Sequence, residues 1–365
     1  MKRYYIIRVA LFLGLSGLLH SCVVKNDNPE TAVDLRFHVD SRAVTEPGTP
    51  AEDKITSIRL MVFNWNGKLE VKEYKTDPAG FTSVPVEVDV TVLSGRKTFC
   101  IIANEPDITT PLLDAVATID ELRAIRFGDH TIYNDGSAPA LPMTAMKTEY
   151  ISGPRDVTDP LRMTLKRAVG KVRMSITKEP AHNITAKLAS VQVKQTPSIS
   201  SLVEGNPVSM AEMTTYAVDH YAESSFSPDV ITYSTPIEMI PLYLYEYHWG
   251  KGTPEDAIAF GYATYLEVII HTKDEINYPL DPWQVHTYRF PLIGSIDNGE
   301  NVYEVRRNTI ANFKLILAGE GIHMSYTVLD WEEDEYGKVP GQDDGNTKVE
   351  DWVLPALVEY EHELQ

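Results

Sequence analysis

Val33-Asp34-Leu35-Arg36-Phe37-His38-Val39-Asp40, running directly into Ser41-Arg42-Ala43-Val44, is the stretch on which the fold turns. Val33, Leu35, Phe37 and Val39 fall on one side of an extended chain and Asp34, Arg36, His38 and Asp40 on the other, because successive side chains of a strand point to opposite faces. The spacing predicts a β-strand buried on one face. Burying the four apolar side chains contributes roughly 6–12 kcal/mol before chain entropy is counted, at about 1.5–3 kcal/mol each. Loss of this strand would therefore open an apolar groove. Thr45-Glu46-Pro47-Gly48-Thr49-Pro50 follows, rich in turn and breaker residues, which puts Arg42 where a trypsin-like protease can reach it. Two readings stay open on these residues: a first strand that can be removed, and an ordinary N-terminal edge strand before an ordinary loop.

The 365 residues suffice for two domains with cores of their own. Residues 1–21 belong to neither: Lys2, Arg3 and Arg8 form a basic start, Val9 to Leu19 is a short apolar run, and Leu19-His20-Ser21-Cys22 ends it. This is similar to a bacterial lipoprotein signal, which implies cleavage before Cys22 and lipid on that cysteine. The run is too short to cross a bilayer, which takes about 20 apolar residues, so the mature chain is expected to be held to the outer membrane by lipid alone. Removing residues 1–21 takes away three basic residues and no acidic one, moving the formal net charge from −19 to −22. A chain that acidic lacks the clustered Lys and Arg that phosphate contacts need, so no nucleic-acid partner is expected. With Cys22 acylated, Cys100 is the one thiol left and no internal disulfide can form.

From Lys54 onward the pattern is strand after strand. Ile55 to Phe63 runs through Asn64-Trp65-Asn66-Gly67 into Lys68 to Lys72, a hairpin with an Asn-Gly turn. Val84 to Val92 alternates, and Lys97 to Asn104 is apolar enough for a central strand buried on both faces, with Cys100 a core residue rather than a reactive thiol. Thr118 to Ile125 predicts a short helix with Thr118 and Glu121 as a capping box. Gly128 to Met146 reads as loop. Ser152 to Pro160 concentrates Pro, Gly and Asp, placing a domain boundary after residue 160.

The second half restarts at Leu161 to Leu165. Val169 to Thr177 follows as a strand with its basic residues on a wet face, and then Ala189–Val193, Ile237–Tyr247, Tyr262–Thr272, Val285–Pro291, Tyr303–Thr309, Ile310–Leu317 and Ile322–Trp331. Strands so spaced with little helix predict an all-β chain of β-sandwiches. Beyond Trp331 the chain is acidic and turn-rich, then sets Trp352, Leu354, Ala356, Val358 and Tyr360 at alternate positions. Pro355 lacks an amide donor, which suits an edge or a groove, and the segment reads equally as the protein's own last strand.

No catalytic constellation emerges. The ten His residues include no His-x-x-x-His pair beside a Glu, and neither a Gly-x-Ser-x-Gly elbow nor a phosphate-cradling Gly loop is present. Asn134-Asp135-Gly136 and Asp344-Gly345-Asn346 lack the carboxylate spacing of a calcium loop. No enzyme, cofactor or metal is expected. Tyr243, Tyr245, Tyr247 and Trp249 can be read as a sugar-stacking platform or as one face of a strand.

Four places in order resemble one family, the fimbrillins that build type V pili in Bacteroidales. They are the signal ending at Cys22; Arg42-Ala43-Val44 before Lys54 to Phe63; Ser94-Gly95-Arg96-Lys97 running into Ile101-Ile102-Ala103-Asn104; and Arg307-Asn308-Thr309 ahead of the strands closing on Trp331. The resemblance implies two tandem transthyretin-like β-sandwich domains with short helices in loops, here residues 22–160 and 161–365. It also implies a lipidated precursor cut after Arg42 by a trypsin-like protease, departure of the strand bearing Val33, Leu35, Phe37 and Val39, and a neighbouring fimbrial subunit's C-terminal segment, here Trp352 to Tyr360, filling the vacated groove. An anchor subunit that keeps its first strand, and a surface glycan-binding lipoprotein, are the alternatives.

Overall fold

Alternation in the leading segment produces the strand it predicts, and the partners of that strand define the architecture of the first half. The computed structural model describes residues 31–40, 52–81, 85–128, 140–180, 184–204, 215–221, 230–239, 241–253, 263–298, 300–318, 321–330 and 347–354. In the first half these form β1 (Ala32–Asp40), β2 (Ser57–Asn64), β3 (Leu69–Thr76), β4 (Val86–Leu93), β5 (Gly95–Ala103), α1 (Thr110–Ala115), α2 (Ile119–Ala124), β6 (Arg126–Phe127), β7 (Met143–Ile151), β8 (Leu161–Thr164) and β9 (Lys166–Arg167). A three-stranded sheet, β4-β1-β8, faces a five-stranded sheet, β3-β2-β5-β7-β9. The inward residues of β1 and β4 meet Ile58, Leu60 and Val62 of β2 and Phe99 and Ile101 of β5 in one core.

The second half comprises β10 (Val169–Lys178), β11 (Thr185–Pro197), β12 (Ser200–Ser201), β13 (Thr215–Tyr221), β14 (Ile237–Glu238), β15 (Leu242–Tyr245), β16 (Tyr247–Lys251), β17 (Tyr265–Lys273), β18 (Gln284–Pro291), β19 (Ser295–Asp297), β20 (Glu300–Val305), β21 (Thr309–Ala318), β22 (Gly321–Asp330) and β23 (Thr347–Leu354). A sheet ordered β14-β10-β21-β22-β23, with β15 also on β10, packs against β13-β11-β17-β18. Gly170 is required where β10 crosses the end of β20, because a Cβ there would lie 2.6 Å from the Arg306 carbonyl oxygen.

The hairpin turns at Gly67, at φ +73°, with the Asn64 side chain accepting from the amides of Asn66 and Lys68. The helix at Ile119–Ala124 starts at Thr118 with both capping-box hydrogen bonds to Glu121 in place. β5 is buried from Phe99 to Ala103, as a central strand should be. Its second face, with Met61 and Phe63 of β2, is covered by α1, α2 and residues of the second half, including Val169, Tyr243, Tyr245 and Ile310.

Four expectations differ. Met143 to Met146, read as the end of a loop, open a full strand, Met143–Ile151, held by its ladder with β5, while Lys147 to Tyr150 interrupt any apolar alternation. Leu161–Thr164, expected to open the second half, lies parallel to β1, so pairing with the first half continues to Arg167. The single strand expected over Ile237–Tyr247 is broken: β14 and β15 pair with β10 on either side of Pro241, which has no amide to donate, whereas β16 pairs with β20. β10 keeps Arg173 half-buried, yet Lys171, expected on a wet face, is fully buried.

Cys100 is buried and free, and desolvation pushes its thiol up to about 12. In a Cys22→Ser chain at pH 8, a disulfide reagent is expected to leave Cys100 untouched until denaturant unfolds the protein. Rapid labelling of the native chain would show that the core opens locally.

Candidate functional site

The four apolar side chains of β1 form one wall of the first core: Val33 is nearly buried and Leu35, Phe37 and Val39 are fully so. Phe37 packs edge-on against Phe99 with ring centroids 5.3 Å apart. β1 is not an edge strand. It runs antiparallel to β4 from Ala32↔Leu93 to Val39↔Val86, and parallel to β8 from Phe37↔Leu161 to Asp40↔Thr164. Ahead of β8, Arg155 continues the pairing: the Arg36 amide donates to the Arg155 carbonyl at 2.9 Å and the Arg155 amide to the Asp34 carbonyl at 3.0 Å. The outer face is held by polar pairs. Arg36 grips Asp89 with two hydrogen bonds of 2.7 and 2.9 Å, which hold that carboxyl below its usual range, and Thr91 donates to Asp34 at 2.6 Å. Taking β1 away would uncover both β4 and β8 and the pockets between them. Such a slot is a template for an added strand.

Downstream, the chain re-enters the described structure at Glu52, which ties the first half to the second, and Asp53, which holds the end of β9. The Glu52 carboxylate, completely buried, accepts from Lys171 Nζ at 2.6 Å and from the Tyr243 hydroxyl, while Asp53 accepts from the buried Arg167 guanidinium. Desolvation lowers the Lys171 ammonium against the pull of Glu52, and raises the Tyr243 hydroxyl. Nothing in the sequence announces this group. Its acids and bases are more than a hundred residues apart, and Glu52 follows a run of turn-favouring residues in the sequence.

The motifs have structural reasons. Asn104, at φ +53°, accepts from the Thr56 amide at 2.8 Å and donates to the Lys54 and Leu141 carbonyls at 2.8 and 2.9 Å, fastening the end of β5 to the entry of β2 and to the segment before β7. Asn308, at φ +55°, accepts from the Arg167 amide at 3.0 Å and donates its own amide to the Val169 carbonyl at 2.8 Å. Arg307 donates to Glu246 at 2.7 Å and to the Ser201 carbonyl at 2.9 Å.

Cys22 and Arg42 lie outside the described residues, as do Ala356, Val358 and Tyr360. Trp352 and Leu354 fall in β23, their backbones paired with Met324 and Ile322 of β22. The aromatic platform is absent: Tyr243, Tyr245 and Tyr247 are buried, and Tyr247 packs on Trp249 at 4.3 Å. Tyr243 and Tyr245 face the junction core while Leu242 and Leu244 face the second, so two of the three Tyr share one strand face and Tyr247 lies apart in β16.

Residues 34–152, from β1 to the segment after β7, match the family model for the major fimbrial subunit protein (FimA). The likeness to fimbrillins thus runs from β1 through β7. Over 156 residues the chain is 26% identical to the major fimbrium subunit FimC of Porphyromonas gingivalis, a match spanning 42% of this chain and 33% of that relative's length. The tip fimbrial protein Mfa3 of P. gingivalis, solved with a C-terminal truncation, superposes with a TM-score of 0.57 at 17% identity, over 82% of this chain and all of that one. Fimbrilin FimA of P. gingivalis W83 gives 0.50 at 15% identity, over 79% and 91%. The two structures share the fold well beyond the matched residues, into the second half. The matched family consists of structural subunits, not enzymes.

Proposed function

We propose that this chain is a subunit of a cell-surface fimbria, exported as an outer-membrane lipoprotein through Cys22 and polymerised by strand exchange once a trypsin-like protease cuts after Arg42. The proposal divides the chain into two domains after Arg167. The observation that carries it is the placement of β1: hydrogen-bonded on both sides, wholly apolar inward, and followed within two residues in the sequence by Arg42. A cut there turns a covalent part of the fold into a bound peptide, and a second copy's Trp352 to Tyr360 supplies the replacement. Exchange of equivalent strands changes net free energy little while joining two subunits.

Trypsin treatment of the purified precursor is expected to give a new N-terminus at Ala43 and a ladder of oligomers that survives dilution, whereas Arg42→Ala stays intact and forms no such ladder. A trimmed chain that remains monomeric at high concentration would overturn the proposal. The depth of β1 also favours a second reading, an anchor subunit that keeps the strand; an uncut Arg42 on intact cells is its signature.

A further inference from the structure

We infer that the loop between β17 and β18 is a surface by which one copy of this chain packs end to end on the first half of another. This rests on the fimbrial reading and adds to it a contact outside any exchanged strand. The loop, Asp274-Glu275-Ile276-Asn277-Tyr278-Pro279-Leu280-Asp281-Pro282-Trp283, holds three large apolar side chains in water: Ile276 is 73% exposed, Tyr278 61% and Leu280 96%. Apolar side chains held in water at this density are uncovered at a cost that docking would recover.

The loop is shaped before it binds. The Asp274 carboxylate accepts from the amides of Ile276 and Asn277 at 3.1 and 2.8 Å and from the Asn277 side chain at 2.8 Å, and the Tyr278 amide donates to the Asp274 carbonyl at 3.0 Å. Lys187 stands 4.5 Å over the Trp283 ring at its base. Fixing the loop in advance lowers the entropy lost on docking.

Strand pairing places it at the end of the second half remote from the first. Lys273 pairs with Thr185, and Lys178, the last residue of β10, donates to the Ile184 carbonyl, whereas Val169 at the other end of β10 lies in the junction core. Tyr233, 64% exposed, extends the patch, for the Thr232 carbonyl accepts from the Lys178 amide.

The first half carries a matching rim at its own remote end. Asn64 pairs with Lys97 and Arg96 with Tyr150, which sets Trp65, Arg96 and Tyr150 along one border of the five-stranded sheet, away from Leu165 and Arg167 at the junction. Trp65 and Tyr150 are 71% and 57% exposed. The charges are complementary. The loop has Asp274, Glu275 and Asp281 and no basic residue, and the rim has exposed Lys68 and Arg96. Two different surfaces at opposite ends make a contact that does not close on itself, so copies add in a line.

Disulfide trapping of the full, uncleaved chain tests this in a Cys22→Ser background, where Cys100 is buried. Mixed Leu280→Cys and Trp65→Cys chains are expected to cross-link about tenfold faster than Leu280→Cys mixed with Glu73→Cys on β3, the gain expected of a pre-formed contact. Equal rates, or Leu280→Cys linking chiefly to itself, would overturn the inference. Leu280→Asp is further expected to abolish concentration-dependent association in sedimentation while leaving the unfolding midpoint unchanged; undiminished association would overturn it too. A precursor that trypsin trims but cannot polymerise would sink the strand-exchange reading while leaving the cross-linking result standing.

Discussion

Phe37→Ala is expected to destabilise the uncleaved chain by about 3–5 kcal/mol and to leave the trimmed, polymerised protein as stable as the unsubstituted one. The first arm follows from packing. Phe37 is completely buried against Phe99 in the middle of β1, and β1 is pinned between β4 and β8, so neighbouring strands cannot close over the lost ring. The second arm follows from the proposed exchange, which discards residue 37 with the rest of the strand. Denaturant unfolding of both forms reads the two arms together. An equal loss in both would mean that β1 stays in the assembled protein.

Lys171→Met is expected to cost about 3–5 kcal/mol, because it removes the ammonium that lies 2.6 Å from a fully buried carboxylate. Glu52→Gln combined with Lys171→Met should recover much of that loss, since an amide beside the Tyr243 hydroxyl is far cheaper to bury than a carboxylate. Lys187→Met, at a side chain that stands over the Trp283 ring at the base of an exposed loop, serves as the comparison and should be nearly silent. Equal small effects at both lysines would show that the junction between the halves does not depend on the Glu52 cluster. Because Glu52 lies ten residues beyond Arg42, the same cluster keeps the new N-terminal segment fastened to the body after a cut.

The half-buried strands were legible because their period of two survives intact. β1 and β4 each alternate over their whole length, and the burial of their side chains follows that alternation. β7 was not legible: its inner residues are spread over Met143, Thr144 and Ile151 with polar residues between, and its place is fixed by the ladder it makes with β5. Short α1 escaped notice for a similar reason, since Pro111 at its start marks a turn as readily as a helix. Of the candidate site, the apolar face of β1 could be read from four residues, but its central position could not, because β8 arrives from more than a hundred residues away and in parallel. Lys171 misled because alternation gives the face of a side chain without saying what covers that face. Glu52 covers it.

The parallel pairing of β10 with β21 sets an order of events during synthesis. Lys171 lies beside Ile310 and Arg167 bonds Asn308, 141 residues later, whereas every strand of the first sandwich has been made by Arg167. The first half can therefore settle early, while one edge of β10 waits unpaired until β21 arrives. During that wait the open edge is a place where the nascent chain can pair wrongly with another copy.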